Sequence, residues 1–232
     1  MNTQGGPGRG TSERPGARAE SARYALLRRL APSMRHHLVV NLQPVTMIYE
    51  VIEHRLRAPE PDLASVHQSL QRINGLTRAA LGACDDMVSW LAPAEGAVVG
   101  VEAGVRECAS LLATSFSFRG YALRNEVGAG GSVPLPGLRC VLSAALLVVT
   151  DGHPEPADVV ISAEAQPDAT ELVIRVVPCA GSRGFGSTAE YRPLDWDDLL
   201  ALAEAAQVQV RRDGEGAVRL RLPQVSEPAF QA

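Results

Sequence analysis

The sequence predicts an α+β fold, in which a long antiparallel helical hairpin precedes an α/β sandwich with helices packed on a mixed sheet. Three features of the 232-residue chain indicate this arrangement. Apolar residues recur at intervals of three and four over two long stretches before Pro93, a spacing typical of amphipathic helices. A short segment with prolines joins the two stretches. After Pro93, short apolar runs typical of strands alternate with helical segments.

The first helix is predicted from about Ala19 to Arg57, after a tail of residues 1–20 that is rich in Gly, Pro, Ser and Arg. Such a tail offers too little apolar surface to stabilise a fold, so we expect it to be disordered. One apolar stripe runs along the helix; it consists of Leu26, Leu27, Leu30, Met34, Leu38, Leu42, Val45, Ile48, Ile52 and Leu56. Pro32 and Pro44 interrupt the pattern, and because the stripe continues beyond both, we expect kinks rather than helix ends.

A second helix of similar length is predicted after Asp62, which is a suitable N-cap residue. Its stripe consists of Leu63, Val66, Leu70, Ile73, Thr77, Ala80, Cys84, Met87 and Leu91. Two long helices joined by a short turn form an antiparallel hairpin, and a hairpin alone cannot bury a sustained heptad seam. We therefore expect a homodimer in which two hairpins form a four-helix bundle.

The second half of the chain predicts a mixture of helices and strands. Helices are predicted over 102–119, 138–149 and 196–206, strands over 121–127, 159–162 and 172–177, and a terminal hairpin over 207–211 and 217–222. This mixture indicates a sandwich of helices on a mixed sheet. The predicted domains are the hairpin at 21–93 and the sandwich at 94–225, and residues 226–232 form a second tail.

Composition excludes several classes of function. The net charge of −4 and the pI near 5.8 argue against a nucleic-acid partner, which would favour a basic surface. The four cysteines form no CxxC pair, so neither a zinc site nor a thioredoxin-type motif is predicted. No apolar run reaches the length of a membrane span and the N-terminus lacks the apolar core of a signal peptide, so we expect no membrane partner and a cytoplasmic location.

The stretch MRHHLVVNLQPV, residues 34–45, places two adjacent histidines in the first predicted helix. A helical hairpin with a histidine near the start of its first helix, followed by an α/β sandwich, resembles the transmitter region of two-component sensor histidine kinases, over about residues 26–223. In that family an apolar residue lies two before the phosphoacceptor histidine, an acidic residue follows it, and leucines lie at plus two and plus six. Laid on His36, this pattern finds Met34, Leu38 and Leu42, with His37 in the acidic position.

Laid instead on His37, the pattern finds Leu38 where an acidic residue is expected, and Asn41 at plus four, where the family often has Asn or Thr. Helix geometry favours the first alignment. At about 100° per residue, His36 lies roughly opposite the stripe that contains Met34 and Leu38, whereas His37 flanks it. Because a nucleophile must be reachable from solvent, we prefer His36 as the acceptor and keep His37 as neighbour or alternative.

The resemblance weakens at the residues that hold ATP in the family. Val148 stands where the family's helix has a metal-binding asparagine, and residues 177–184 (VPCAGSRG) stand where the family has an Asp-x-Gly-x-Gly loop. The Gly-rich lid has only a weak counterpart in residues 183–186. Without these ligands, Mg²⁺ and adenine lose specifying contacts, so the resemblance implies a degenerate ATP-binding domain.

The function that follows is a histidine phosphotransferase, which relays phosphoryl groups between receiver domains of response regulators. Some phosphotransferases have this architecture, a dimeric helical hairpin with a degenerate ATP-binding domain. Imidazole is suited to the role because its unperturbed pKa lies near 6.5. No cofactor is expected on this chain, since the receiver partner brings the Mg²⁺. The alternatives are a non-catalytic pseudokinase that binds and regulates a response regulator or a sensor kinase, and a working kinase with a drifted nucleotide site.

The resemblance also implies a docking surface around the histidines. Its predicted residues are Arg28, Arg29 and Arg35, which would complement the acidic rim of a receiver, the apolar Leu38, Val39 and Val40, and Asn41. Asn41 would orient a water for dephosphorylation if His37 is the acceptor. Each residue also has a structural alternative: the arginines as a solvated face, the valines as bundle core, and Asn41 as a helix-surface residue.

Overall fold

The structure is a computed structural model that describes residues 15–153, 155–179, 192–214 and 216–225. The helices are α1 (Pro15–Leu56), α2 (Leu63–Leu91), α3 (Val101–Phe118), α4 (Leu135–Asp151) and α5 (Trp196–Ala205). The strands are β1 (Val98–Gly100), β2 (Tyr121–Asn125), β3 (Ser132–Pro134), β4 (Ala157–Ala165), β5 (Ala169–Pro178), β6 (Gln209–Arg212) and β7 (Ala217–Pro223). The predicted fold class, a long helical hairpin followed by a mixed sheet with helices, is confirmed.

Helix α1 runs for 42 residues and contains both Pro32 and Pro44, neither of which ends it. It begins at Pro15, ahead of the predicted start at about Ala19, because its first turns are held by the second half of the chain. Ala19 is buried, and the Arg18 guanidinium lies 3.0 Å from the carboxylate of Asp195 before α5. Residues 1–14 of the predicted tail and residues 226–232 lie outside the described part of the chain.

Helix α2 begins where its capping residue predicts. The Asp62 carboxylate accepts hydrogen bonds from the backbone N–H groups of Ala64 and Ser65, both at 3.1 Å. These contacts satisfy two of the donors that a helix start leaves unpaired, and α2 then packs along α1.

The main sheet has five strands in the order β2-β4-β5-β7-β6. Strands β2 and β4 are parallel, and the other neighbours are antiparallel. The terminal hairpin of β6 and β7 forms as predicted, and its turn uses Gly214 and Gly216 at positive φ angles of 68° and 87°. The structure adds the short antiparallel pair β1 and β3, which the sequence did not predict because three-residue strands carry no periodic signal.

Strand β7 shows how the sheet divides into two faces. Val218, Leu220 and Leu222 are buried under the helices, whereas Arg219 and Arg221 alternate with them on the other face. Helix α4 packs on β5 and β7, α3 on β2, and α5 on β6. Because α4 lies between the sheet and other helices, its middle is buried on all sides, as its apolar sequence predicts.

The N-terminal part of α1 belongs to the same hydrophobic core as the sheet domain. Ala22, Leu26 and Leu30 are fully buried among residues of α3, α4 and α5. Trp90 at the end of α2 joins the same cluster. The start of α1 and the end of α2 are therefore both packed against the second half of the chain. This packing places α3 beside α1.

Candidate functional site

Both candidate histidines lie on the exposed surface of α1, at an open cleft of about 560 Å³ between α1 and α3. The α1 wall consists of Pro32, Ser33, Arg35, His36, His37 and Val39. The α3 wall consists of Ser110, Thr114, Ser115 and Phe118. The two imidazoles thus face a solvent-filled space large enough to admit groups of a partner molecule.

His37 also borders a second, smaller cavity, of about 120 Å³, where α1, α2 and α3 meet. Asp86 of α2 and Glu107 of α3 line this cavity as well. His36 borders the larger cleft. Both imidazoles are accessible, but their surroundings differ: His36 faces the cleft, and His37 lies at the junction of the three helices with two carboxylates near by.

A partly buried polar cluster holds α3 against the hairpin below this junction. The Trp90 indole N–H donates to Glu107 at 2.9 Å, and the Arg139 guanidinium lies 2.7 Å from the same carboxylate. Arg139 also donates to the Ser89 hydroxyl at 2.8 Å, and its guanidinium carbon lies 5.1 Å from the centre of the Trp90 ring. The cluster joins α2, α3 and α4, and fixes the distance between the hairpin and the α3 wall.

A second buried cluster corrects the role predicted for Arg29. Its guanidinium makes two hydrogen bonds to Asp151 at the end of α4, at 2.8 and 3.0 Å, and its side chain is 8% exposed. Arg119 binds the same carboxylate at 3.0 Å and stacks on Tyr121. Arg29 is therefore committed to the packing of α1 on α4, because an unpaired buried guanidinium would be costly.

The other two arginines of the predicted docking surface are exposed. Arg28 donates to the Tyr24 hydroxyl at 3.2 Å and lies over the Tyr24 ring, one turn before the cleft. Arg35 lines the cleft beside the histidines. Of the three predicted arginines, Arg35 is the one that the structure brings to the mouth of the cleft.

The apolar residues after the histidines point in different directions around α1. Val39 and Val40 are exposed, and Val39 lines the cleft, whereas Leu38 is half-buried. The Asn41 side chain is half-buried, and its amide N–H donates to the backbone carbonyl of His37 at 2.9 Å. The amide of Asn41 is thus engaged with its own helix, and its oxygen is the remaining polar atom.

The α3 wall is the part of the site that sequence reasoning missed. Its polar side faces the cleft because the apolar side of α3, which includes Cys108 and Leu112, packs into the core. Burial raises the pKa of the Cys108 thiol to about 12. The amphipathic pattern of α3 was visible in the sequence, but which helix its polar side would meet depended on the tertiary packing.

Val148, which stands where the resemblance places a metal-binding asparagine, lines a cavity whose walls also include His153 and Arg212. The cavity has a volume of about 390 Å³, and Val149 and Val176 line it as well. Its polar boundary includes Arg212, whose guanidinium carbon lies 4.4 Å from the centre of the Trp196 ring. The predicted counterpart of the Gly-rich lid, residues 183–186, lies outside the described residues.

Within the described residues, no group of three or more His, Cys, Asp or Glu side chains is arranged to hold a metal ion. None of the helices in the described part of the chain combines the length and the apolar character needed to cross a bilayer.

No family model matches the chain, and no curated protein matches it. Among solved structures, the chain is similar to a bacterial phosphotransferase, at 14% identity and a TM-score of 0.40, over 85% of this chain and 95% of that chain. It is similar to histidine kinase AdeS of Acinetobacter baumannii, at 11% identity and a TM-score of 0.43, over 82% of this chain and 98% of that chain. A histidine kinase from Burkholderia phymatum matches at 16% identity and a TM-score of 0.41, over 93% of this chain and 100% of that chain.

Proposed function

We propose that this chain is a histidine phosphotransferase of two-component signalling, with His36 as the phosphoacceptor and His37 as its neighbour or alternative. The observation that carries the proposal is the exposure of both imidazoles at an open cleft on a long helix. The cationic side chain of Arg35 lies at the same cleft and suits the negative charge of a phosphoryl group. The proposed partners are receiver domains, which implies a cytoplasmic location.

The proposed reaction needs little from this chain beyond the imidazole. A ring nitrogen attacks the phosphorus of an aspartyl phosphate on the receiver, so that a P–N bond forms as the acyl P–O bond breaks. The aspartate departs as a carboxylate, and the proton on the other ring nitrogen passes to solvent. The reverse sequence charges a second receiver. Mg²⁺ belongs to the acidic pocket of the receiver, where carboxylate oxygens suit it.

The valine at position 148 supports a relay rather than ATP-driven autophosphorylation. A valine side chain supplies no ligand for Mg²⁺ at the position where the resemblance places an asparagine. A phosphotransferase needs no nucleotide, because the energy of the reaction resides in the acyl phosphate of its partner.

The proposal includes a homodimer, because both helices of the hairpin expose apolar side chains at helical spacing. On α1 the exposed stripe consists of Leu42, Tyr49 and Leu56, seven residues apart. On α2 it consists of Leu63, Leu70, Leu81 and Val88. A second copy of the hairpin would cover these stripes in a four-helix bundle, which is the ordinary way to bury such seams.

The proposal is tested by mixing the purified chain with receiver domains charged on aspartate, and by following acid-labile phosphate on the chain. We expect transfer to wild type, loss of transfer in His36→Ala, and unchanged transfer in His54→Ala, which changes another exposed histidine of α1. Loss in His37→Ala alone would move the acceptor to the second imidazole. Receiver binding without any transfer would instead identify a non-catalytic docking protein, the alternative function.

A further inference from the structure

The α3 wall of the cleft carries an aromatic residue that the fold does not use. Phe118 is the last residue of α3 and is 65% exposed. An exposed aromatic ring at a cleft is suited to recognition, because it buries a large apolar area when a partner covers it. Phe118 lines the same cleft as His36, with Thr114 one turn before it on α3.

The position of Phe118 relative to His36 is rigid. The next residue, Arg119, is bound to Asp151 at 3.0 Å, and Asp151 in turn is bound to Arg29 of α1 at 2.8 Å. The end of α3 is thus connected by buried ion pairs to the helix that carries the histidines. A cleft with both walls fixed is preorganised for docking, because little conformational entropy is lost when a partner binds to it.

The size of a receiver domain decides whether it contacts α3 when it binds at His36. A receiver domain of about 120 residues has a radius of gyration of about 14 Å. A body of that size cannot bring an aspartyl phosphate to His36 from the solvent side without covering other residues that line the same cleft. Its acidic pocket would meet Arg35 on the α1 wall.

We propose that α3 is the second wall of the receiver-docking surface, with Phe118 as its apolar anchor and the hydroxyl-bearing residues Ser110, Thr114 and Ser115 around it. This inference rests on the proposed function. It adds that the second domain contacts the receiver through α3. It gives that domain a role other than nucleotide binding, because the domain holds α3 at a fixed position beside the histidines.

The test compares Phe118→Asp with wild type in binding and in transfer, using each purified receiver domain of the host in turn. The matched control is Leu200→Asp, since Leu200 is an exposed apolar residue of α5 at 41% exposure and does not line the cleft. We expect Phe118→Asp to raise the dissociation constant of the receiver by about tenfold or more, and Leu200→Asp to change it by less than about twofold. Thr114→Arg, which fills the cleft from the same wall, should weaken binding as well, and circular dichroism checks that each variant folds.

The outcomes separate this inference from the proposed function. Receiver binding that is unchanged in Phe118→Asp and Thr114→Arg, with transfer also unchanged, overturns the docking role of α3 and leaves the phosphotransferase intact. A wild type that neither binds nor accepts phosphoryl groups from any receiver overturns both. Weakened binding with transfer retained at saturating receiver supports the inference, because an anchor affects association rather than the phosphoryl step.

Discussion

Replacing Asp151 by Asn tests whether the buried ion pairs hold α1 against the second domain. Asp151 binds both Arg29 and Arg119, and the three side chains are 14%, 8% and 13% exposed. Asparagine keeps the shape of aspartate but removes the charge, so that two largely buried guanidinium groups lose their counter-ion. We therefore expect a larger loss of stability than surface ion pairs allow.

The magnitude follows from the burial of the pairs. Removing one partner of a buried pair costs about 3–5 kcal/mol, because the remaining charge stays desolvated. For a chain of this length, 1 kcal/mol corresponds to about 2–4 °C in the melting temperature, so Asp151→Asn should melt about 6–20 °C below wild type. The control is Glu53→Gln, which breaks the exposed pair of Glu53 with Arg57 on α1 and should cost about 0.5 kcal/mol or less.

The assay is urea unfolding followed by circular dichroism, with all variants at one protein concentration because dimerisation would couple stability to concentration. A decrease in the free energy of unfolding below about 1 kcal/mol for Asp151→Asn would equal the effect of an exposed pair. That result would refute the conclusion that these pairs fix α1 against α4, and with it the rigid geometry of the cleft.

Three other predictions concern the dimer, the nucleotide and the buried thiol. Leu70→Glu should convert the dimer to monomers in sedimentation velocity, because burying a carboxylate costs on the order of several kcal/mol. Gln68→Glu, at an exposed polar position of α2, should leave a dimer. A monomeric wild type would contradict the bundle. Mg·ATP should shift the melting temperature by less than about 1 °C, since a ligand at about 100 times its dissociation constant would add about 2.7 kcal/mol and about 5–11 °C. Burial raises the pKa of Cys108 from about 9.0 to about 12, so the folded chain keeps a proton that the unfolded chain releases. The free energy of unfolding should therefore fall as pH rises between those two values, and Cys108→Ala should flatten that fall by up to about 1.4 kcal/mol per pH unit in urea titrations; an unchanged slope would contradict the burial of the thiol.

Much of the fold could be predicted because its elements are strongly periodic. The long helix α1, the cap at Asp62 and the terminal hairpin each follow from local chemistry, and the structure confirms them. The start of α1 was less accurate, because Arg18 and Ala19 are ordered by contacts with residues far along the chain. Strands β1 and β3 escaped prediction because they are too short to show a period.

The candidate site was predictable only on the side of α1. The exposure of His36 followed from its angle to the apolar stripe, whereas the surroundings of both histidines depended on how α2 and α3 pack beside them. Arg29 was assigned to the docking surface because it lies near the histidines in sequence, whereas its partner Asp151 lies 122 residues away. Such a pairing carries no local signal.

The sequence by itself determined the type and order of the main helices and strands, the presence of two adjacent histidines on a long helix, and the valine at position 148. These properties depend on periodicity and residue chemistry within one element. Only the tertiary structure decided that the first turns of α1 lie in the core of the sheet domain, and that Phe118 faces the histidine cleft. These depend on contacts between residues distant in sequence, where packing and the pairing of buried charges select one arrangement among many that the same local patterns allow.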